Sequence, residues 1–227
     1  MKRILNLIFK PGSLVRKIAA KMLMPIYRCK NSLFDLNNQE YWDRAWKKEL
    51  EMSSRLKLYK LYDKVFSLVP EGCKLVDVGC GIGVFLERIK REKKCQVFGV
   101  DISKKAIETI KAKGIDGAVQ KIPPLQLPTE SFDVVVAIQL LEHLRKPLPA
   151  IKELLRVVKA GGWCLISVPD DCLYPRHIRE HLCSFTKNEI NKLIKKTKYK
   201  TELSFFPVTE NDTPDIKRLL VACKKII

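Results

Sequence analysis

From residue 74 onward the chain alternates between short runs rich in Val and Ile and longer stretches with helical spacing. Lys74–Gly79 (KLVDVG), Gln96–Asp101 (QVFGVD), Phe132–Ile138 (FDVVVAI) and Trp163–Val168 (WCLISV) are apolar runs that end in turn or polar residues. Unbroken runs of this kind predict strands buried on both faces. Between them, the spacing predicts helices over residues 83–93, 103–113 and 147–159, with Ser103 as an N-cap and Gly161-Gly162 as a stop. Repeated strand–helix units predict an α/β fold with an open, doubly wound, mostly parallel sheet. Lys200–Phe206 and Arg218–Lys224 read as an antiparallel strand pair at one edge. Residues 35–70, with YWDRAW and RLKLYKLYDKVF, read as helices ahead of the sheet. The expected organisation is a basic extension over 1–34 and one domain over 35–227. That domain divides into a helical lead-in (35–70), a core (71–170), and a loop with C-terminal strands (171–227).

Composition narrows this picture. A length of 227 residues suits one α/β domain with an extension, and 46% hydrophobic residues exclude wholesale disorder. No uncharged apolar run reaches the length of a membrane-spanning helix. The eight cysteines form no CxxC pair, so they read as reduced thiols of a cytoplasmic protein and not as a zinc ribbon. The net charge is +18, unevenly spread: residues 1–34 hold eight Lys or Arg and no acid.

That basic arm lacks the long apolar segment and cleavage site of a secretory signal. Within it Leu14, Val15, Ile18, Ala19, Met22 and Leu23 form one stripe, with Arg16, Lys17 and Lys21 elsewhere on the helical wheel. Such a segment suits an anionic membrane surface, a partner groove or RNA, and equally a helix that packs on its own domain. The expected localisation is cytoplasmic, with peripheral membrane contact through residues 1–30.

The chemistry concentrates at Val76-Asp77-Val78-Gly79-Cys80-Gly81-Ile82-Gly83. A strand runs into a glycine turn and then a helix, which lets backbone approach a ligand. The third glycine of a dinucleotide-binding GxGxxG would fall at Val84, and Asp77 places an acid inside the strand. A pyrophosphate is repelled by such a carboxylate, whereas a sulfonium or an ammonium is attracted to it. Asp101, eighteen residues after Gly83, ends the second strand where an acid can accept hydrogen bonds from two ribose hydroxyls.

With these features the chain resembles the class I S-adenosylmethionine-dependent methyltransferases, in particular the small-molecule branch that includes the ubiquinone-biosynthesis O-methyltransferases. The resemblance rests on LVDVGCGIG, VFGVDIS, SFDVVVAIQLLEHL and IKELLRVVKAGGWCLISVP, and covers roughly residues 74–169. It implies a Rossmann-like, seven-stranded sheet and S-adenosyl-L-methionine as cofactor. It further implies that Asp77, Gly79, Cys80, Gly81 and Gly83 hold the methionyl portion, and that Asp101 with Ile102 holds the ribose. Gln120 and Lys121 would lie beside the adenine, and Ile138 and Gln139 along the far side. Arg55 stands about where some relatives place a cofactor-contacting arginine.

Glu142 and His143 follow the fourth strand, while His177, Arg179, Glu180 and His181 follow the fifth in DDCLYPRHIREHLCSF. All three histidines of the chain thus fall in two loops at one edge of the sheet. His143 and His181 are the candidate catalytic residues, as general bases near neutral pH. Three roles stay open for them: removing a proton, shaping the pocket, or holding a divalent metal together with Glu142. Some relatives carry an ExxEH segment for such a metal; here Gln139 replaces its first acid, so a metal is the less favoured reading. The expected activity is methyl transfer to a small or lipid-linked acceptor at oxygen. The alternatives are an RNA methyltransferase, favoured by charge but lacking any RNA-binding module, and a non-catalytic cofactor-binding regulator or activating subunit.

Overall fold

The computed structural model describes residues 38–52, 59–169, 181–183, 185–210 and 213–226. The basic arm, Arg55, His177, Arg179 and Glu180 lie outside the described residues. The apolar runs form the strands they predict. β1 (Lys74–Val78), β2 (Gln96–Asp101), β3 (Asp116–Val119), β4 (Phe132–Ile138) and β5 (Val158–Pro169) pair in parallel, in the order β3-β2-β1-β4-β5. β7 (Thr213–Lys225) joins β5 antiparallel, and β6 (Thr201–Glu210) joins β7 antiparallel at the edge. The result is a mostly parallel seven-stranded sheet with an antiparallel pair at its C-terminal edge.

Alternation along β4 shows why its run is unbroken. Val135 and Ala137 enter one core, and Val134, Val136 and Ile138 enter the other. The first core is covered by α5 (Pro147–Val157) and α6 (Lys187–Lys195), through Ile151, Leu154, Leu155, Ile190 and Ile194. The second is covered by α2 (Tyr59–Leu68), α3 (Val84–Lys93) and α4 (Lys104–Ala112), through Leu61, Val65, Phe85, Leu86, Ile107 and Ile110. Each such fully buried Leu or Ile contributes about 1.5–3 kcal/mol. Among the described residues the helical lead-in holds two helices, α1 (Gln39–Met52) and α2, and α2 belongs to the core.

Ser103 caps α4 as its sequence implies, its Oγ accepting from Ala106 N at 3.1 Å. The helix expected over 147–159 ends instead at Val157, and Gly161-Gly162 lie inside β5. Val158 pairs with Phe132, and the next paired residues are Val134 and Trp163, so the intervening residues form an irregularity. Gly161 takes φ 77°, and a Cβ on Gly162 would stand 2.6 Å from Asp133 O. Gly161 thus supplies the left-handed backbone of the irregularity and Gly162 the close approach of two strands, and neither is a helix stop.

The strand order reverses direction beside β1. The crevice outside its carboxyl end, where β1 and β4 are neighbours, is the place where such sheets bind ligands.

Candidate active site

The glycine turn is fixed to β2 by its backbone. Gly79 N and Cys80 N both donate to Val100 O, at 2.7 and 3.1 Å. Gly81 N donates to Asp101 Oδ2 at 2.9 Å, and Ser103 N donates to Asp101 Oδ1 at 2.9 Å. Asp101 is thereby oriented by two main-chain donors, each oxygen keeping further acceptor capacity. Burial drives its pKa up, to about 6, against the pull of these hydrogen bonds, and the Asp43 carboxylate nearby adds to the rise.

The glycines have separate reasons. Gly79, Gly81 and Gly83 all adopt positive φ. A Cβ on Gly83 would meet Ile110 Cγ2 at 2.5 Å, so Gly83 serves packing on α4. A Cβ on Gly81 would lie 2.6 Å from the Trp46 ring, so its bareness admits an indole of this chain. Ligand approach, the reason inferred from the motif, is thus joined by two packing reasons that the sequence does not disclose.

Above the turn is a cavity of about 200 Å³. Of the residues singled out in the sequence, Asp77, Gly79, Cys80, Asp101, Ile102, Gln120, Lys121, Ile138, Gln139 and His143 line it. Gly81, Gly83 and His181 are not among the lining residues. Gln120 Oε1 accepts from Gln126 N at 2.9 Å, which ties the end of β3 to the loop that follows it. Gln139, with φ 53°, holds a backbone conformation uncommon for a side-chain-bearing residue, and its N donates to Ser167 O at 2.9 Å.

Asp77 is 3% exposed, and its Oδ1 has no hydrogen-bond partner among the described residues. Burial first, and the charge of Asp101 second, raise its pKa to about 8. A buried carboxyl oxygen at a cavity wall, costly while unmatched, fits a cationic group with N–H donors. Together with the acid at the end of β2, it suits a ligand carrying an ammonium and a ribose.

The lining residues that the sequence left unassigned include three aromatics, Trp42, Trp46 and Tyr62. Trp42 and Trp46 stack at 6.2 Å between centroids, four residues apart on α1. The i, i+4 spacing in YWDRAW was the available signal.

At the mouth, His143 packs edge-on between Trp42, at 5.0 Å, and His181, at 5.2 Å between ring centroids. Leu182 N and Cys183 N both donate to Glu142 O, at 2.7 and 3.0 Å, which ties the segment bearing His181 to the 3-10 turn Leu141–His143. Candidate ligand atoms of Glu142, His143 and His181 lie within 4.8 Å of one another. The two loops therefore do meet, in a cluster able either to move a proton or to take a divalent ion.

Residues 76–166 match the model of a methyltransferase domain. The chain is 28% identical over 135 residues to the ubiquinone biosynthesis O-methyltransferase of Bordetella avium, covering 56% of this chain and 55% of that protein. It is 29% identical over 164 residues to the protein of the same name from Vibrio cholerae, covering 68% and 62%. The chain thus spans little more than half the length of the curated relatives it matches. The phosphoethanolamine N-methyltransferase 2 of Haemonchus contortus, solved with S-adenosyl-L-methionine, superposes with a TM-score of 0.67 at 16% identity, over 85% of this chain and 59% of that one. That last likeness concerns the fold. With the glycine turn, the acid ending β2 and the reversal of strand order beside β1, the matches make this chain similar, over residues 76–166, to the methyltransferase domains of the S-adenosylmethionine-dependent class.

Proposed function

We propose that this protein transfers the methyl group of S-adenosyl-L-methionine to an oxygen of a small or lipid-linked acceptor. The observation that carries the proposal is the buried Asp77 oxygen facing the cavity beside a second acid, Asp101, held by Gly81 and Ser103. When bound, the cofactor supplies an electrophilic methyl group with its own leaving group. Asp77 would meet its positive charge, and Asp101 would accept from its ribose hydroxyls. Ile102, Gln120, Lys121, Ile138 and Gln139 would border the rest of it. His143, at the cavity wall, would take the proton of the acceptor hydroxyl, and His181 would orient that imidazole and share its charge.

A second reading of the same cluster has its own support. The approach of Glu142, His143 and His181 suits a divalent metal that would acidify the acceptor hydroxyl. Gln139 in place of a further acid leaves that set with one carboxylate, and its amide Nε2 donates to Ser167 Oγ at 3.2 Å.

The relatives' names support a small acceptor and oxygen as the methylated atom. The stripe and charge of residues 1–30 support work at an anionic membrane in the cytoplasm. The test is to incubate the full chain with methyl-labelled cofactor and fractionated cell extract. Label is expected in a lipid or small-molecule fraction, in the wild type and not in His143→Ala. Label confined to RNA would replace the acceptor assignment, and binding of cofactor without label transfer to any fraction would make the protein a regulator.

A further inference from the structure

Asp43, on α1, lies outside every motif that identifies the family, yet it closes a circuit around the cavity. Its Oδ1 accepts from Ser103 Oγ at 2.5 Å and from Lys105 N at 3.0 Å. It is thus a second cap on α4, supplied from a helix sixty residues away in sequence. Ser103 also donates its N–H to Asp101, Asp101 accepts from Gly81 N, and Gly81 receives the ring of Trp46, three residues beyond Asp43 on α1. Each link joins the next: Asp43, Ser103, Asp101, Gly81, Trp46, and back along α1.

We propose that Asp43 is a positioning residue: by fastening α1 to the start of α4, it seats Trp42 and Trp46 over the glycine turn and couples closing of the cavity to the orientation of Asp101. The inference rests on the cofactor reading above and adds a latch to it. Opening would require that Asp43 release two donors, that Trp46 leave the bare face of Gly81 and that Trp42 part from His143. Ser103 Oγ would keep its capping bond from Ala106 N, so α4 stays capped while α1 moves. The partnerless Nε1 of Trp46, buried in the closed arrangement, is a cost of closure that a ligand acceptor at the turn would remove. Closure without ligand is therefore held by Asp43 together with the packing of Trp42 and Trp46, and a ligand that satisfies Asp77 Oδ1 and Trp46 Nε1 would deepen it.

The test uses the full chain with Trp163→Phe, so that emission comes from Trp42 and Trp46 alone among the three tryptophans. Acrylamide quenching in the ligand-free protein is expected to rise about twofold in Asp43→Ala, with S-adenosylhomocysteine bound about tenfold more weakly and released faster. Asp43→Asn, whose amide oxygen can still accept from Ser103 and Lys105, should recover most of both effects. A lower melting temperature with unchanged quenching and affinity would make Asp43 a helix cap only and overturn the proposal. If Asp43→Ala does not fold, hydrogen exchange on the wild type decides. Amides of residues 39–52 and of Lys105 should gain protection together on adding S-adenosylhomocysteine, and independent behaviour overturns the latch. A wild type that binds no S-adenosylhomocysteine would instead sink the cofactor reading, while quenching still judges the latch by itself.

Discussion

Asp77 sets the sign of the pocket's response to pH. With its pKa at about 8, the ligand-free protein holds a proton there through neutrality, and a cation that binds beside it must displace that proton. Affinity for S-adenosyl-L-methionine should therefore rise with pH up to about 8, by at most about tenfold per unit, and Asp77→Asn should flatten the rise. The ligand-free protein should show the opposite trend in stability. The folded state binds this proton more tightly than the unfolded chain, so stability falls as pH climbs from the ordinary carboxylate value towards 8. A flat affinity profile in the wild type would remove Asp77 from the cation site. The two histidines separate by a different measurement. If His143 is the base, His143→Ala should cut turnover by roughly 10²–10⁴-fold with cofactor affinity unchanged. If the cluster instead holds a metal, activity should vanish with a chelator and return with added divalent ion. At this scale the motif residues were legible in the sequence, because strand–turn–helix chemistry is local. Trp46 and Asp43 were not: their partners Gly81 and Ser103 are far along the chain, and only the folded sheet brings α1 to them.

The elements meet most tightly where α4 crosses β2 and β3. Cβ atoms added to Gly83, Gly99 or Gly117 would all strike Ile110, so one isoleucine lies in a nest of three glycines. Gly99→Ala should destabilise the fold by about 1–3 kcal/mol through overpacking, read from the denaturant midpoint. Ile110→Val removes the Cδ1 that faces Gly99 and Gly117, so the double variant should lose less than the two single losses combined. Simple additivity would mean that Ile110 is not the colliding group. Runs of β-branched residues made β1, β2 and β4 legible, since their inner positions are buried on both faces, whereas the edge strand β6 leaves Glu202, Ser204, Pro207 and Thr209 exposed. The order in which β6 and β7 join the sheet was not legible, because nothing local tells β7 to insert between β5 and β6. Gly161-Gly162 misled for a related reason. Two glycines mark a helix stop and a strand irregularity equally well, and only the pairing of Val158 with Phe132 decides.

The whole molecule combines a cofactor-type pocket with an uneven positive charge. No helix among the described residues is long and apolar enough to cross a membrane. Removing residues 1–30 should abolish binding to anionic vesicles, in which each Lys or Arg near the surface contributes about 1 kcal/mol. Cofactor affinity should survive that truncation, since the described pocket begins at Trp42. Vesicle binding that persists would assign the membrane surface to the domain, and loss of RNA retention alone would move the acceptor towards RNA. Everything proposed for this chain still depends on what occupies the cavity between Asp77 and Asp101. The most direct measurement is calorimetric titration of the full chain, wild type and Asp101→Ala, with S-adenosylhomocysteine and separately with NAD. The wild type should bind S-adenosylhomocysteine and not NAD, and Asp101→Ala should lose about 1.5–3 kcal/mol of that binding. Tight NAD binding, or S-adenosylhomocysteine binding that ignores Asp101, would contradict the assignment of the pocket.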